Sequence, residues 1–267
     1  MKRGNKKALV TITTLLILLT GYFFLAPNLG LKSDNQSNNS EQINNSAAGG
    51  LTQKQYDQLA KLNYKSGQNA VYIVNNNNST LNKKWTKCHI DYQNLDNLNR
   101  TSKSVTAYLS QDNIAKQKYR VRQIVKPTGW HSNRPGDEIY NRGHLIAYSL
   151  SGGIDKWGKY VGGKGMGDQN NPKNLFTQTA FTNQNVQTYY ENQVREAMYS
   201  GQKVIYQATP IFRGSEKMAR GVNLQAISMD GMINFNVYIF NVQPGFKFDY
   251  QTGRAIRDIN MKASFNQ

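Results

Sequence analysis

Three consecutive β-rich segments restrict the fold of this chain more than any other feature. Residues 204–212, 222–229 and 232–242 are rich in β-branched and aromatic residues, which pack well on a pleated surface. Asp230 and Gly231 separate the last two segments, and this dipeptide is typical of a tight hairpin turn. Strands joined by such a turn run antiparallel. The segments therefore predict a central, mostly antiparallel sheet.

Helical and strand patterns elsewhere predict that this sheet belongs to an α+β fold. The apolar spacing over residues 51–62 indicates a helix with Thr52 as its N-cap, and residues 182–199 indicate a second helix. The glycine-rich residues 151–169 predict a mobile loop. Shorter patterns predict a helix at residues 113–118 and strands at residues 70–74, 85–92, 104–109, 119–125 and 139–150, the last running into a turn.

An uncharged apolar run occupies residues 8–26. It has about the length of one membrane-spanning helix, and the basic residues before it predict a cytoplasmic N-terminus and an extracellular C-terminus. No small-x-small cleavage site follows it, which favours an uncleaved anchor in the cell membrane. A cleaved signal peptide and a secreted protein are the alternative.

A polar, low-complexity segment follows this run. Residues 33–50 contain mostly Asn, Ser, Gln and Gly, and such a composition cannot bury enough apolar surface to offset the entropy of ordering. The sequence therefore predicts three parts: a signal-anchor at residues 1–30, a flexible linker at residues 31–50, and one folded domain at residues 51–267.

The charge balance points to a polyanionic partner. The formal net charge is +17, and five of the 33 basic and two of the 16 acidic residues precede residue 51, so that 28 and 14 remain beyond it, a net charge of +14. DNA, RNA or an anionic surface is the natural partner of such a domain. Nothing in the sequence identifies a protein partner. With Cys88 as the single cysteine, no intramolecular disulfide can form and the fold must depend on its core.

A histidine and an arginine near the middle of the chain supply parts for cutting a phosphodiester. His144 has the side chain whose ordinary pKa, about 6.5, suits a general base that activates water. Arg142 lies two residues earlier, on the same face if the segment is a strand. Its guanidinium can stabilise the charge that develops on a phosphate.

Asn183 suits a divalent metal, because Mg²⁺ prefers oxygen ligands and keeps several waters. The metal would stabilise the leaving oxygen as a Lewis acid. Glu191 follows eight positions later, which is about 12 Å along a helix at 1.5 Å per residue. That separation is too long for both side chains to bind one ion directly, so Glu191 is expected to act through a metal-bound water.

Four sequence blocks in this order resemble the DNA/RNA non-specific endonucleases of the ββα-metal (His-Me finger) superfamily, in particular its membrane-bound DNA-entry and secreted streptococcal members. The blocks are Asn-Arg-Gly-His at 141–144, Asn-Pro-Lys-Asn-Leu at 171–175, Gln-Thr-Ala-Phe-Thr-Asn-Gln at 178–184 and Tyr-Tyr-Glu at 189–191. The resemblance covers roughly residues 70–245. A bare Arg-Gly-His would be much less specific than this series.

The resemblance implies a ββα-metal core on the antiparallel sheet, in which a β-hairpin presents the histidine and a helix presents the metal ligand. It implies cleavage of DNA, with RNA as a second substrate, that depends on Mg²⁺, with Mn²⁺ as a substitute. It makes His144 the general base, Asn183 the direct metal ligand, Glu191 the water-bridged carboxylate and Arg142 the phosphate contact. The same comparison places four further residues in substrate binding or around the metal: Asn141, Asn174, Gln178 and Gln184.

One departure from the family pattern keeps a second function open. The family usually has Asp where this chain has Asn141, and the amide removes a negative charge from the site. A membrane-tethered DNA-binding protein that cuts weakly or not at all is therefore the alternative. A phosphoesterase acting on a small or wall-linked phosphodiester is a third, and the +14 charge favours a long polyanion over it.

The other two histidines are interpreted differently. His131 is expected to be structural or to lie in a substrate groove. His89 adjoins Cys88, but two adjacent ligands without partners make a poor zinc site. His89 and Cys88 are both expected to belong to the sheet.

Overall fold

The computed structural model describes residues 47–115, 120–163 and 169–266. The predicted signal-anchor at residues 1–30 and residues 31–46 of the predicted linker lie outside the described residues. Among those that are described, none of the helices is both long enough and apolar enough to span a bilayer.

The described residues form ten strands and two α-helices. The helices are α1 (Gln53–Ala60) and α2 (Thr188–Tyr199). The strands are β1 (Val71–Ile73), β2 (His89–Asp91), β3 (Val105–Leu109), β4 (Tyr140–His144), β5 (Leu175–Thr179), β6 (Val204–Ile211), β7 (Gly221–Ser228), β8 (Asn234–Phe240), β9 (Phe246–Asp249) and β10 (Arg254–Arg257).

Six strands form one sheet in the order β1-β8-β7-β6-β3-β2, and every neighbouring pair is antiparallel. The predicted antiparallel sheet is thus confirmed, with β6, β7 and β8 at its centre. The turn between β7 and β8 contains Gly231 at a φ of 84°, a left-handed conformation that glycine adopts without strain.

One face of the sheet is apolar and lies against α2. Tyr206, Ala226 and Phe235 are register partners across β6, β7 and β8, so their side chains share a face. The ring of Tyr190 on α2 lies 5.1 Å from that of Phe235. All four residues are buried, which makes this face the main hydrophobic contact of the helix.

The opposite face is polar and equally buried. Gln207, Gln225 and Asn236 are register partners one position further along, and each is at most 1% exposed. The Gln207 side-chain oxygen accepts a hydrogen bond from the backbone of Leu51 at 3.3 Å, and that of Gln225 accepts one from Thr80 at 2.9 Å. The N-terminal part of the domain therefore supplies hydrogen bonds to buried polar side chains, whose burial without partners would cost free energy.

The domain begins before residue 51. Ala48 is buried, although residues 47–50 belong to the segment predicted to be a flexible linker. Gly50 allows this packing, because it has a φ of 98° and a Cβ there would lie 2.1 Å from the side-chain oxygen of Gln207. The small residues at the end of the polar segment thus let the backbone approach the polar face closely.

The predicted strand at residues 119–125 is wrong for its described part, residues 120–125, which have no regular structure. The backbone N–H groups of Val121 and Ile124 donate to the side-chain oxygens of Gln169 and Asn170, at 3.0 and 2.8 Å. Side-chain amides thereby replace the neighbouring strand that the alternating pattern requires.

Other predicted elements are shorter than expected. The strand predicted at residues 85–92 is limited to β2. Before the helix predicted at residues 113–118 the chain forms a 3₁₀ turn, Gln111–Asn113, and residues 116–118 lie outside the described part.

A second structural unit consists of β4, β5 and the helical segment that follows them. β4 pairs with β5 antiparallel, with His144 opposite Leu175. A π-helical turn, Thr182–Gln187, then leads directly into α2. The predicted helix at residues 182–199 is confirmed, and the chain here has the order strand, strand, helix.

Asn241, directly after β8, joins this unit to the large sheet. Its side-chain oxygen accepts hydrogen bonds from the backbone of Thr179 at 2.8 Å and from the hydroxyl of Thr182 at 3.2 Å. Its side-chain nitrogen donates to the carbonyls of Thr177 at 3.0 Å and Ala219 at 2.9 Å. Asn241 is 1% exposed, so one buried amide connects both elements.

We expect Asn241→Ala to lower the free energy of unfolding by about 2–4 kcal/mol, because each buried group left without a partner costs about 1–3 kcal/mol. Urea unfolding followed by circular dichroism measures the change. Asn260→Ala at an exposed position is the control and should stay within about 0.5 kcal/mol of the natural chain. Equal midpoints for both variants would contradict this role for Asn241.

Candidate active site

The strand–strand–helix unit borders a pocket of about 420 Å³. Four of the residues singled out from the sequence line it: Asn141, Arg142, His144 and Asn183. The remaining lining residues are Arg120, Val121, Gln123, Trp130, Asn133, Tyr140 and Gln169. The histidine on β4 and the asparagine on the π-helical turn therefore face one cavity, as the sequence predicted.

His144 is held in one orientation by its ring nitrogen Nε2. This atom lies 3.3 Å from the backbone oxygen of Gln169 and 3.4 Å from the side-chain nitrogen of Gln123. The Gln169 carbonyl only accepts hydrogen bonds, so a protonated Nε2 donates to it. In this tautomer the Gln123 nitrogen, which donates to the backbone oxygen of Arg142 at 3.2 Å, makes no hydrogen bond to Nε2. The other ring nitrogen, Nδ1, then keeps the lone pair that can take a proton.

Burial lowers the pKa of His144 to about 4. The hydrogen bond to Gln169 acts in the opposite direction and raises the pKa, whereas the nearby positive charge of Arg120 lowers it further. The imidazole is therefore neutral at physiological pH, which is the state that a general base needs.

Arg142 lies across the Trp130 ring, with the guanidinium carbon 4.3 Å from the ring centroid. Its Nε donates to the backbone oxygen of Val125 at 2.6 Å. Within the described ranges, the two terminal nitrogens of this guanidinium donate to no protein group. They remain available for a phosphate oxygen, while the stacking and the Nε bond fix their position.

Asn183 lies in the π-helical turn Thr182–Gln187, a rare geometry that is frequent at functional sites. Its backbone oxygen accepts a hydrogen bond from the Thr188 hydroxyl at 2.9 Å. Its side-chain amide has no hydrogen-bond partner among the residues that the structure describes. An amide oxygen in a polar pocket without a protein partner has the chemistry of a hard-cation ligand.

Gln187 connects the back of this pocket, and the sequence analysis missed it. Its side-chain nitrogen donates to the backbone oxygen of His144 and to the carboxyl of Glu191, each at 2.7 Å. Its side-chain oxygen accepts from Gln178 at 2.9 Å. A glutamine inside a helical segment ordinarily indicates a solvated position, and no sequence signal showed that this one is fully buried.

Glu191 and Gln178 belong to this buried network and do not line the pocket. Burial raises the pKa of Glu191 to about 7, while the hydrogen bond from Gln187 and the charge of Arg195 lower it. Gln178 packs against Gly143, where a Cβ would lie 2.1 Å from its side-chain oxygen. Position 143 therefore requires glycine, because the Gln178 side chain lies too close to the backbone for a Cβ.

Asn174 and Gln184, also singled out from the sequence, lie outside the pocket lining. Asn174 is fully buried, and its amide accepts from the nitrogen of Ile146 at 2.9 Å and donates to the oxygen of Ile146 at 3.0 Å. It thereby fixes the chain just beyond His144. Gln184 is exposed on the π-helical turn.

The other histidines have structural contacts. The His89 ring stacks on Tyr108 with a centroid distance of 4.2 Å, and its residue begins β2, as expected for a sheet residue. Cys88, which directly precedes β2, is buried and its sulfur lies 3.1 Å from the Ser110 hydroxyl. The His131 ring nitrogen Nε2 donates to the backbone oxygen of Thr252 at 3.0 Å.

The chain is similar to known nucleases in sequence. Residues 47–248 match the model of the DNA/RNA non-specific endonuclease family. A deoxyribonuclease of Streptococcus dysgalactiae subsp. equisimilis is 40% identical over 55 residues, which cover 21% of this chain and only 17% of that protein.

Two solved structures extend the likeness to the whole fold. NucA from Streptococcus agalactiae, with magnesium ion bound, aligns with a TM-score of 0.62 and 31% identity over 78% of this chain and 97% of that chain. The Sda1 nuclease with bound zinc ion aligns with a TM-score of 0.54 and 22% identity over 72% of this chain and 98% of that chain, which shows a shared fold alone. By the extent of these matches, the chain belongs to the DNA/RNA non-specific endonuclease family.

Proposed function

We propose that this protein is an endonuclease that hydrolyses phosphodiester bonds of DNA, and secondarily RNA, without regard to base sequence. The observation that carries the proposal is the single pocket lined by His144, Arg142 and Asn183. A base, a cation and a hard oxygen ligand meet there, and family membership makes a nucleic acid the expected substrate.

His144 acts as the general base in this proposal. Its Nδ1 takes a proton from the attacking water while Nε2 keeps its hydrogen bond to the Gln169 carbonyl. The backbone oxygen of His144 is held by Gln187, which fixes the part of β4 from which the ring projects. Arg142 holds a nonbridging phosphate oxygen with its terminal nitrogens as negative charge develops on the phosphate oxygens.

The donor set of the pocket fits Mg²⁺ bound largely by water and substrate. Asn183 offers one side-chain oxygen to the pocket, and no cluster of three His, Cys, Asp or Glu residues suited to a metal occurs in the described part of the chain. Mg²⁺, with Mn²⁺ as a substitute, would supply a Lewis acid for the leaving oxygen. In this proposal Asn183 holds the ion.

Glu191 is proposed to contact the metal through water, as the sequence suggested. In the structure its carboxyl already accepts a hydrogen bond from Gln187, at 2.7 Å. Because Gln187 also binds the backbone of His144, Glu191 further helps to fix the position of the histidine. A nearby cation would favour the ionised carboxylate and lower a pKa that burial has raised to about 7.

The lack of base preference follows from the charge of the domain. Arginine and lysine bind phosphates, and phosphates carry no sequence information. With +14 net charge beyond residue 50, the domain is suited to a long polyanion. We propose that it works outside the cell, held at the membrane by the apolar segment at residues 8–26 or released after cleavage of that segment.

A DNA-binding protein with weak or no cleavage is the second candidate. Asn141 favours it, since this residue lines the pocket where the family usually has Asp. The two candidates differ in what happens to plasmid DNA in Mg²⁺.

We expect the full chain to degrade plasmid in Mg²⁺, and EDTA to prevent the degradation. His144→Ala should lower the cleavage rate by roughly 10²–10⁴-fold, because a positioned general base contributes about that much. His89→Ala is the matched control, with its ring stacked in the sheet, and should cut at the natural rate. Bound but intact plasmid with the natural chain would favour the DNA-binding candidate.

We expect Asn183→Ala to raise the Mg²⁺ concentration needed for half-maximal cleavage by at least ~10-fold, because the only protein oxygen assigned to the ion is removed. Asn185→Ala, an exposed residue on the same π-helical turn, should leave the Mg²⁺ requirement unchanged. Titration of the rate with Mg²⁺ measures both. An unaltered requirement in Asn183→Ala would assign the ligand to another residue.

The pH dependence of kcat/KM should report the state of His144. With a pKa of about 4, the part of the acid limb that reports His144 should lie near pH 4, where the imidazole becomes protonated. Protonation of Glu191, whose pKa is about 7 before a cation lowers it, is a separate step at higher pH. Asn141→Asp adds a carboxylate to the same pocket, which stabilises the imidazolium and raises this pKa. The acid limb should then move to higher pH. Superimposable profiles would show that position 141 has no electrostatic influence on the base.

A further inference from the structure

A second pocket, of about 670 Å³, lies next to the candidate active site. The two pockets share Tyr140 as a lining residue. The second pocket lies between the loop before β4 and the β9–β10 hairpin. We call it the arginine pocket, after Arg134, Arg254 and Arg257 in its lining.

The β9–β10 hairpin is fixed to the wall of the active site. The Tyr140 hydroxyl donates to the backbone oxygen of Gly253 at 2.8 Å, and the Tyr140 ring packs edge-on against Phe248 at 5.7 Å. Gly253 has a φ of 80°, and a Cβ there would lie 2.0 Å from the backbone oxygen of Gly129. The backbone that carries Arg254 and Arg257 is therefore held at a set position relative to β4.

The arginine pocket has a surplus of positive charge. Its one acidic lining residue, Asp137, forms an ion pair with Arg257. No carboxylate of the described residues forms an ion pair with Arg134 or Arg254, and both are exposed. Asp249 is the register partner of Arg254, and the charge of Arg254 contributes to lowering the pKa of its carboxyl. The carboxylate accepts hydrogen bonds from residues 251 and 252 of the turn and forms no ion pair with Arg254.

Part of the remaining wall is apolar. Phe246 and Ile256 line the arginine pocket, and Ile256 is 67% exposed. A surface that combines exposed guanidinium groups with exposed apolar side chains suits a polymer that alternates phosphates with sugars and bases. An inorganic anion would use the arginines alone.

We infer that the arginine pocket is an extended binding site for the nucleic-acid strand whose scissile phosphate lies at His144. Arg134 and Arg254 bind phosphates several nucleotides away from the cut, and Ile256 and Phe246 contact sugars or bases. This inference rests on the proposed nuclease function. β10 lies beyond residues 47–248 that match the family.

The test compares two double variants with reversed charges. The arginine variant carries both Arg134→Glu and Arg254→Glu, and the lysine variant carries both Lys54→Glu and Lys65→Glu. Both pairs change the net charge equally, and all four positions are exposed. The lysines line neither the active-site pocket nor the arginine pocket. Equal melting temperatures of the variants and the natural chain would show that the fold is unchanged.

Cleavage is measured on oligonucleotides of about 4 to about 24 nucleotides. On the longest, the arginine variant should raise KM by at least about tenfold, since the loss of even one charge-assisted hydrogen bond has about that effect, and leave kcat unchanged. On the shortest, which reach only the active site, it should match the natural chain. An equal loss at every length, or the same loss in the lysine variant, would overturn the inference.

Binding is measured separately, in EDTA and in the His144→Ala background, by fluorescence anisotropy of a labelled duplex. The slope of log affinity against log salt should fall by about 2 in the arginine variant, one for each phosphate contact. This readout needs no cleavage. If the natural chain leaves DNA intact, the proposed nuclease fails, while a reduced slope still supports the nucleic-acid site. An unchanged slope overturns the site whatever the cleavage result.

Discussion

The four hydrogen bonds of the Asn241 side chain are the constraint on which the rest of the site depends. They connect the end of β8 to two backbone groups of β5 and to the first residue of the π-helical turn. β5 in turn sets the register of β4, and thereby the position of His144. Because the same amide also binds Thr182, next to Asn183, both halves of the proposed chemistry share one anchor. A shift of the anchor would separate base from metal ligand.

The proposed catalytic groups are supported from behind by buried amides. Gln187 binds the backbone of His144 and the carboxyl of Glu191 at once, and Gln178 holds Gln187 in place. A hydrogen-bonded network of this kind in a low-dielectric interior is rigid, and an incomplete one is costly. The polar residues of the site therefore divide into those that face the pocket and those that position them. The sequence blocks contain both kinds without distinguishing them.

The sequence predicted those features that local signals encode. The β-rich segments gave β6, β7 and β8, and Thr52 indeed caps α1; the Asn-Arg-Gly-His block led to β4 and the pocket. Features set by distant contacts were not predictable. The alternating residues 120–125 form no strand because Gln169 and Asn170 take their backbone hydrogen bonds. Likewise, the sequence block that contains Asn174 does not show that its amide binds the backbone of Ile146 and so supports the chain after His144.

The pairing of β1 with β8 has a consequence for how the protein folds. Val71 lies beside Ile239, so the first strand of the sheet has no partner until most of the chain is available. Contacts so distant along the chain delay folding, since a long loop must close before they form. Synthesis releases about 5–20 residues per second. Until β8 has been made, the apolar residues of β1 stay exposed to solvent because their strand has no partner. A polypeptide with this topology completes its large sheet only after its last third is available.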